Sequence, residues 1–258
     1  MRALPGKRRV SSPGAAIVLA GALLAALTMP ERANAADAAA TAAVPVGARD
    51  LSAVWWTRNY NPRILPTRGG SPPFTPVGEA RYRENVARLR DGTLEDHSRV
   101  WCSPDGVPRA WAQPYPFRIV QTANQTTIIH ESNATFRVIA MDKPVPPESD
   151  WLPYFMGNSY GHWEGDTLVI DVVGFKATTT FLDDSGVPHS DRLRLTERLR
   201  KIGNDQLELV VTIDDPVMFT QNWDARFVFQ RRDDVEHFDF WVCGEPHRDI
   251  RQVQGAPR

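Results

Sequence analysis

The residues best suited to chemistry are those that break an alternating pattern. Along Asp191–Ile202 one face carries Leu193, Leu195, Glu197 and Leu199, and the other carries Arg192, Arg194, Thr196, Arg198 and Arg200. Period-two alternation therefore turns Glu197 inward among leucines. A carboxylate there is costly unless it meets a partner or keeps its proton, the state that proton transfer near neutral pH needs. Three readings stay open: an internal salt bridge, a bulge that turns the acid outward, or a general acid or base. In the loop leading to this strand, Pro188-His189-Ser190-Asp191 supplies a histidine. Imidazole titrates near neutrality, which suits a general acid or base, although a loop histidine is as readily just solvated.

Other polar residues share strand faces. Tyr160, His162 and Glu164 lie on one face of Ser159–Glu164. A His-x-Glu pair there is half of a metal site, an acid–base pair or a solvated outer surface. Asp171 is a charge in the row Thr167, Val169, Asp171, Val173, opposite Leu168, Ile170 and Val172. In Thr126–Ser132, Ile128 and His130 share one face, while Glu131, near the strand end, reads as exposed. Asp214-Asp215-Pro216 reads as a turn cap. No His-x-x-x-His spacing, cysteine cluster, Gly-x-Ser-x-Gly elbow, phosphate loop or dinucleotide fingerprint occurs, so neither metal nor cofactor is indicated.

These residues support an enzyme that shifts a proton on a small, partly apolar molecule without a cofactor, as a lyase, isomerase or hydrolase. Glu197 would be the buried acid or base and His189 its counterpart at the mouth of a barrel. Tyr160 and His162 would orient the substrate, with Arg198 holding a carboxylate and Asp171 beside it. The alternative is a non-catalytic carrier whose cavity is lined by Trp55, Phe227 and Phe229. A third reading, a structural or adhesive envelope protein, requires a fully packed interior.

The elements that must position these side chains are mostly strands. Ser52–Thr57 reads as a first strand, and residues 61–76 are rich in proline. Thr75 then offers an N-cap with Pro76 at the first helical position, predicting one charged helix to about Arg90. From Phe117 onward the period is two: Phe117–Thr122, Thr126–Ser132, Thr135–Met141, Ser159–Glu164, Thr167–Val173, Asp191–Ile202, Gln206–Asp214, Ala225–Arg231 and Glu236–Cys243. Gly165-Asp166 is a hairpin turn signal. About ten strands joinable as neighbours, with no βαβ alternation, predict an antiparallel up-and-down barrel or strongly curved sheet, calycin- or lipocalin-like, with one short helix before it.

The chain has 258 residues. Its start carries Arg2, Lys7, Arg8 and Arg9, then an apolar run from Ala15 to Met29, then Ala33-Asn34-Ala35. This is the pattern of a cleavable signal peptide over residues 1–35, a retained anchor being the alternative. A flexible leader over 36–50 and a single β domain over 51–258 follow, placing the mature protein in the periplasm or outside the cell. The formal net charge is −1, and loss of the basic start leaves the mature chain mildly acidic. That argues against nucleic acid or an anionic membrane as partner, leaving a small molecule; oligomeric state is open. The two cysteines, Cys102 and Cys243, most simply pair as a disulfide in an oxidising compartment, free thiols being the alternative.

The stretch Gly161-His162-Trp163-Glu164-Gly165-Asp166-Thr167-Leu168-Val169-Ile170-Asp171 resembles a widespread, largely uncharacterised family of exported bacterial proteins. The resemblance extends over nearly the whole mature chain, through Cys102, Gly106-Val107-Pro108-Arg109, Pro114-Tyr115-Pro116, Ile119-Val120-Gln121-Thr122, Gly174-Phe175, Pro188-His189-Ser190, Glu197-Arg198, Asp214-Asp215-Pro216 and Cys243. It departs after Cys243, where Gly244-Glu245-Pro246 stands in place of the family's Glu-Asn. The resemblance implies export and a common fold, not a particular reaction. Ser52-Ala53-Val54-Trp55 is also similar to the Gly-x-Trp strand of lipocalin-type barrels, with Ala53 at the glycine position.

Overall fold

The structure, a computed structural model, describes residues 46–57, 59–122, 125–177 and 180–238. The stretch read as a signal peptide, most of the stretch read as a leader, and Cys243 lie outside these residues. Nine strands form a closed barrel in chain order. They are β1 (Ala53–Trp56), β2 (Phe117–Gln121), β3 (Gln125–His130), β4 (Thr135–Met141), β5 (Asn158–Glu164), β6 (Thr167–Val173), β7 (Arg194–Lys201), β8 (Gln206–Asp214) and β9 (Trp223–Arg231). Short helices α1 (Val46–Arg49), α3 (His97–Val100) and α4 (Arg109–Ala112) accompany one longer helix, α2 (Pro76–Arg90). α1 falls inside the stretch read as leader, where Arg49 donates to the Gly165 carbonyl at 2.9 Å.

Alternation explains the walls. Leu195, Glu197 and Leu199 of β7 and Leu207, Leu209, Val211 and Ile213 of β8 are all buried. Arg194, Arg198 and Arg200 face outward. Between β5 and β6, Gly165 supplies the positive φ, 61°, that this two-residue turn demands. β9 closes on β1 through Trp55↔Arg231 and Trp56↔Gln230.

Two features differ from the sequence reading. β4 and β5 run parallel rather than antiparallel, and they pair only at Ile139↔Ser159, Ala140↔Tyr160 and Met141↔Gly161. Parallel pairing needs a crossover, so residues 142–157 must return the chain to the end from which β4 started. The strand expected at Glu236–Cys243 is irregular at residues 236–238, and the rest of it lies outside the described residues.

α2 begins as its cap signal requires: the Thr75 hydroxyl accepts from the Gly78 amide at 3.0 Å and donates to the Val217 carbonyl at 2.7 Å. The helix docks through Gly78, where a Cβ would run into the Met218 carbonyl. This contact holds α2 beside the chain that follows β8. At the barrel centre α4 inserts Trp111, 4.9 Å from the Phe117 ring and 6.0 Å from the Phe229 ring. Each such buried aromatic stabilises the fold by roughly 1.5–3 kcal/mol.

Candidate functional site

Glu197 is 0% exposed, inside the barrel. One carboxylate oxygen accepts the Trp111 indole N–H at 2.7 Å, and the other accepts from the Arg137 guanidinium. Arg137 comes from β4, is itself buried, donates to the Ser159 hydroxyl at 3.3 Å and lies 5.0 Å over the Trp111 ring. Of the three readings left open, the internal salt bridge is the one present. Beside it, His130 packs edge-on to Trp111 at 5.1 Å. Burial, reinforced by the nearby Arg137 charge, lowers its pKa to about 3.

The strand residues His162, Arg198, Tyr160 and Asp171 lie away from Glu197. His162 is half-exposed and bonds to Glu164 at 3.2 Å, which in turn pairs with Arg198 at 2.7 Å. These three form an outer-face cluster in water, the solvated-surface reading of the His-x-Glu pair. The carboxylate held by Arg198 is thus one of the protein's own. Tyr160 and Asp171 are cross-strand neighbours, and Asp171 accepts from the Thr196 hydroxyl at 2.9 Å. Trp55 and Phe229 are fully buried; Trp55 donates to the Leu51 carbonyl at 2.9 Å, and Phe229 lies 4.8 Å from Phe117. Both are core. Phe227, partly buried and stacked 6.2 Å from Phe229, lines a pocket of about 320 Å³ with Ile64 and Arg226. Glu131, read as exposed, is buried, because a tight helical turn at Ser132–Ala134 follows it and folds the chain back.

His189 sits elsewhere. It lines a cleft of about 850 Å³ between α2 and the connection from β6 to β7, together with Phe175, Lys176, Thr180, Arg88 and Met218. His189 and Thr180 are each only 4% exposed. The imidazole Nε2 lies 2.8 Å from the Thr180 hydroxyl, and Nδ1 lies 3.0 Å from the Ser190 carbonyl. A carbonyl only accepts, so Nδ1 must carry a proton. Burial lowers the His189 pKa, opposed in part by the Ser190 carbonyl and the Asp215 charge. A neutral ring then has its one proton on Nδ1 and offers the Nε2 lone pair to Thr180. This is the arrangement of a base, an oriented tautomer and a hydroxyl within reach.

The sequence builds this arrangement from acids that cap loops. Asp183 accepts from the amides of Ile64, Ser185 and Val187 at 2.9, 2.9 and 3.2 Å, tying the turn ahead of Pro188. Burial raises its pKa despite these bonds. Asp215 accepts from Ser190 through amide and hydroxyl, at 2.6 and 2.8 Å, and from the Val217 and Met218 amides at 3.1 and 3.2 Å. It therefore caps its turn and holds Ser190, the residue whose carbonyl orients His189. Asn85 of α2 donates to the Gly186 carbonyl at 2.8 Å, joining the two walls. Cations (Arg81, Arg88, Lys176) and acids (Glu84, Glu95, Asp191) both line the cleft, so a mixed, partly apolar ligand suits it better than a strongly charged one.

Glu197 and His189 thus have separate partners, and no described hydrogen bond joins them. Among the described residues no group of three or more His, Cys, Asp or Glu side chains could hold a metal ion. No family model, no curated protein and no solved structure matches the chain. Sequence reasoning missed Trp111, Arg137 and Thr180. Arg137 left a signal, since Thr135, Arg137 and Ile139 alternate onto the inner face just as Glu197 does. Trp111, on a four-residue helix, and Thr180, in a loop, left none.

Proposed function

We propose that this chain is an exported β-barrel enzyme that performs cofactor-independent acid–base chemistry on a small, partly apolar molecule. The observation that carries the reading is the His189 imidazole, held through Nδ1, with Nε2 at 2.8 Å from a hydroxyl, in a cleft of about 850 Å³. His189 moves the proton, with the Thr180 hydroxyl beside its Nε2. Glu197 is a structural acid: both of its oxygens are occupied and it has no exposed surface. Export rests on the basic start, apolar run and Ala33-Asn34-Ala35. Pairing of Cys102 with Cys243 is part of the same proposal and suits an oxidising compartment.

The test is incubation of the purified protein with a mixture of bacterial small molecules, followed by mass spectrometry. Wild type is expected to convert at least one component into a product, and His189→Gln to lose that conversion while keeping its fold by circular dichroism. Depletion of a component without any product, unchanged in His189→Gln, would instead identify a carrier and overturn the enzyme reading.

A further inference from the structure

We infer that Thr180 is a nucleophile and that the cleft hydrolyses small, partly apolar esters or lactones; this rests on the reading of His189 as the proton-moving group. Four observations converge. The Thr180 oxygen lies 2.8 Å from His189 Nε2. The imidazole proton is committed to the Ser190 carbonyl, so Nε2 is free to accept. Asp215, 1% exposed, holds Ser190 through its amide and its side-chain hydroxyl, giving the residue whose carbonyl meets the base a fixed support. Finally, the Thr180 oxygen also lies 2.8 Å from the Lys176 carbonyl, so its single proton is shared between that carbonyl and Nε2, and the two contacts together fix the hydroxyl rotamer. Hydroxyl, base and orienting group in this order are the parts of nucleophilic acyl transfer, here with a backbone carbonyl in the orienting position.

The reaction balances without a redox partner. The Thr180 oxygen bonds to the substrate carbonyl carbon as His189 Nε2 takes the hydroxyl proton. The bond from that carbon to the leaving oxygen breaks, and the imidazolium passes its proton to the departing alkoxide, leaving an acyl ester on Thr180. Water then attacks the acyl carbon and gives a proton to Nε2. The Thr180–acyl bond breaks, the threonine oxygen recovers the proton, and a carboxylic acid departs. Arg81, Arg88 and Lys176 line the same cleft and are the cations available to the transient oxyanion. Phe175, Phe181 and Met218 favour a short apolar acyl chain over a polymeric one.

Two probes test this on the full mature chain: p-nitrophenyl butyrate for turnover and an alkyl fluorophosphonate for trapping. Wild type is expected to release p-nitrophenol and to gain one phosphonyl group, mapped to Thr180 by peptide mass spectrometry. Thr180→Val and His189→Gln are expected to lose both signals by about 100-fold or more, while Thr180→Ser keeps them, which excludes simple misfolding. Release of p-nitrophenol that survives in Thr180→Val but not in His189→Gln overturns the nucleophile and spares the acid–base reading. Release that survives in both variants overturns both. A label on another residue, or no release and no label from wild type, overturns the nucleophile.

Discussion

Arg137 of β4 and Glu197 of β7 meet inside the barrel, with the Trp111 indole closing the other carboxylate oxygen. The pair joins strands that are not neighbours in the wall, so it is a cross-brace through the core. Removing one partner leaves the other charge buried and uncompensated. Glu197→Gln is expected to cost about 3–5 kcal/mol, measured by urea unfolding. The double variant Arg137→Met/Glu197→Leu is expected to recover most of that loss, since apolar replacement of a whole buried pair is often neutral. A destabilised variant of Glu197 that still converts substrate is the expected phenotype.

His130 should give the barrel a measurable acid sensitivity. Its folded pKa, about 3, lies below the ordinary 6.5, so between these values only the unfolded chain takes up the proton. Stability from this group is full above about pH 6.5 and is lost as pH falls toward 3. His189 is shifted in the same direction. The free energy of unfolding against pH is expected to slope less steeply in His130→Phe than in wild type, by roughly one proton over that window.

Docking of α2 forms one wall of the cleft and depends on the missing side chain at Gly78. Gly78→Ala gives a Cβ that meets the Met218 carbonyl, and backbone cannot swing away as a flexible side chain can. The expected cost is about 1–3 kcal/mol, with faster carbethoxylation of His189 by diethylpyrocarbonate as the cleft opens.

Asp215 supports both the turn after β8 and the Ser190 peptide. Asp215→Ala removes the side-chain acceptor of four donors at once, and a loss of about 2–4 kcal/mol in thermal or urea unfolding is expected. Asp214, exposed next to it, is expected to change stability by less than about 0.5 kcal/mol when replaced by alanine.

Much of the scaffold was legible because burial writes a period into the chain. Thr135–Met141, Thr167–Val173 and Gln206–Asp214 begin and end where the alternation does, and Thr75-Pro76 marks the start of α2. The inward aim of Glu197 followed from the same rule. What the rule cannot give is the identity of a partner across the barrel: Arg137 is as regular in its own strand as Glu197 is in β7, and only closure brings them together. The direction of β5 was hidden because alternation is the same for parallel and antiparallel neighbours. His189 was visible as a titratable side chain in a loop, but its partners, Thr180 and the Ser190 carbonyl, are set by loop geometry that carries no period. The readings of the His162–Glu164 pair stayed open for a related reason: period two separates the faces of a strand without saying which face a polar pair shares with water.

The central claim is that His189 is a neutral base with its proton on Nδ1 and its Nε2 lone pair facing Thr180. Long-range ¹⁵N–¹H NMR of protein labelled at histidine measures this directly and needs no substrate. At pH 7 the His189 ring is expected to show one protonated nitrogen, Nδ1, and an unprotonated Nε2 whose shift moves in Thr180→Val. A proton on Nε2 alone, or on both nitrogens, would contradict the account.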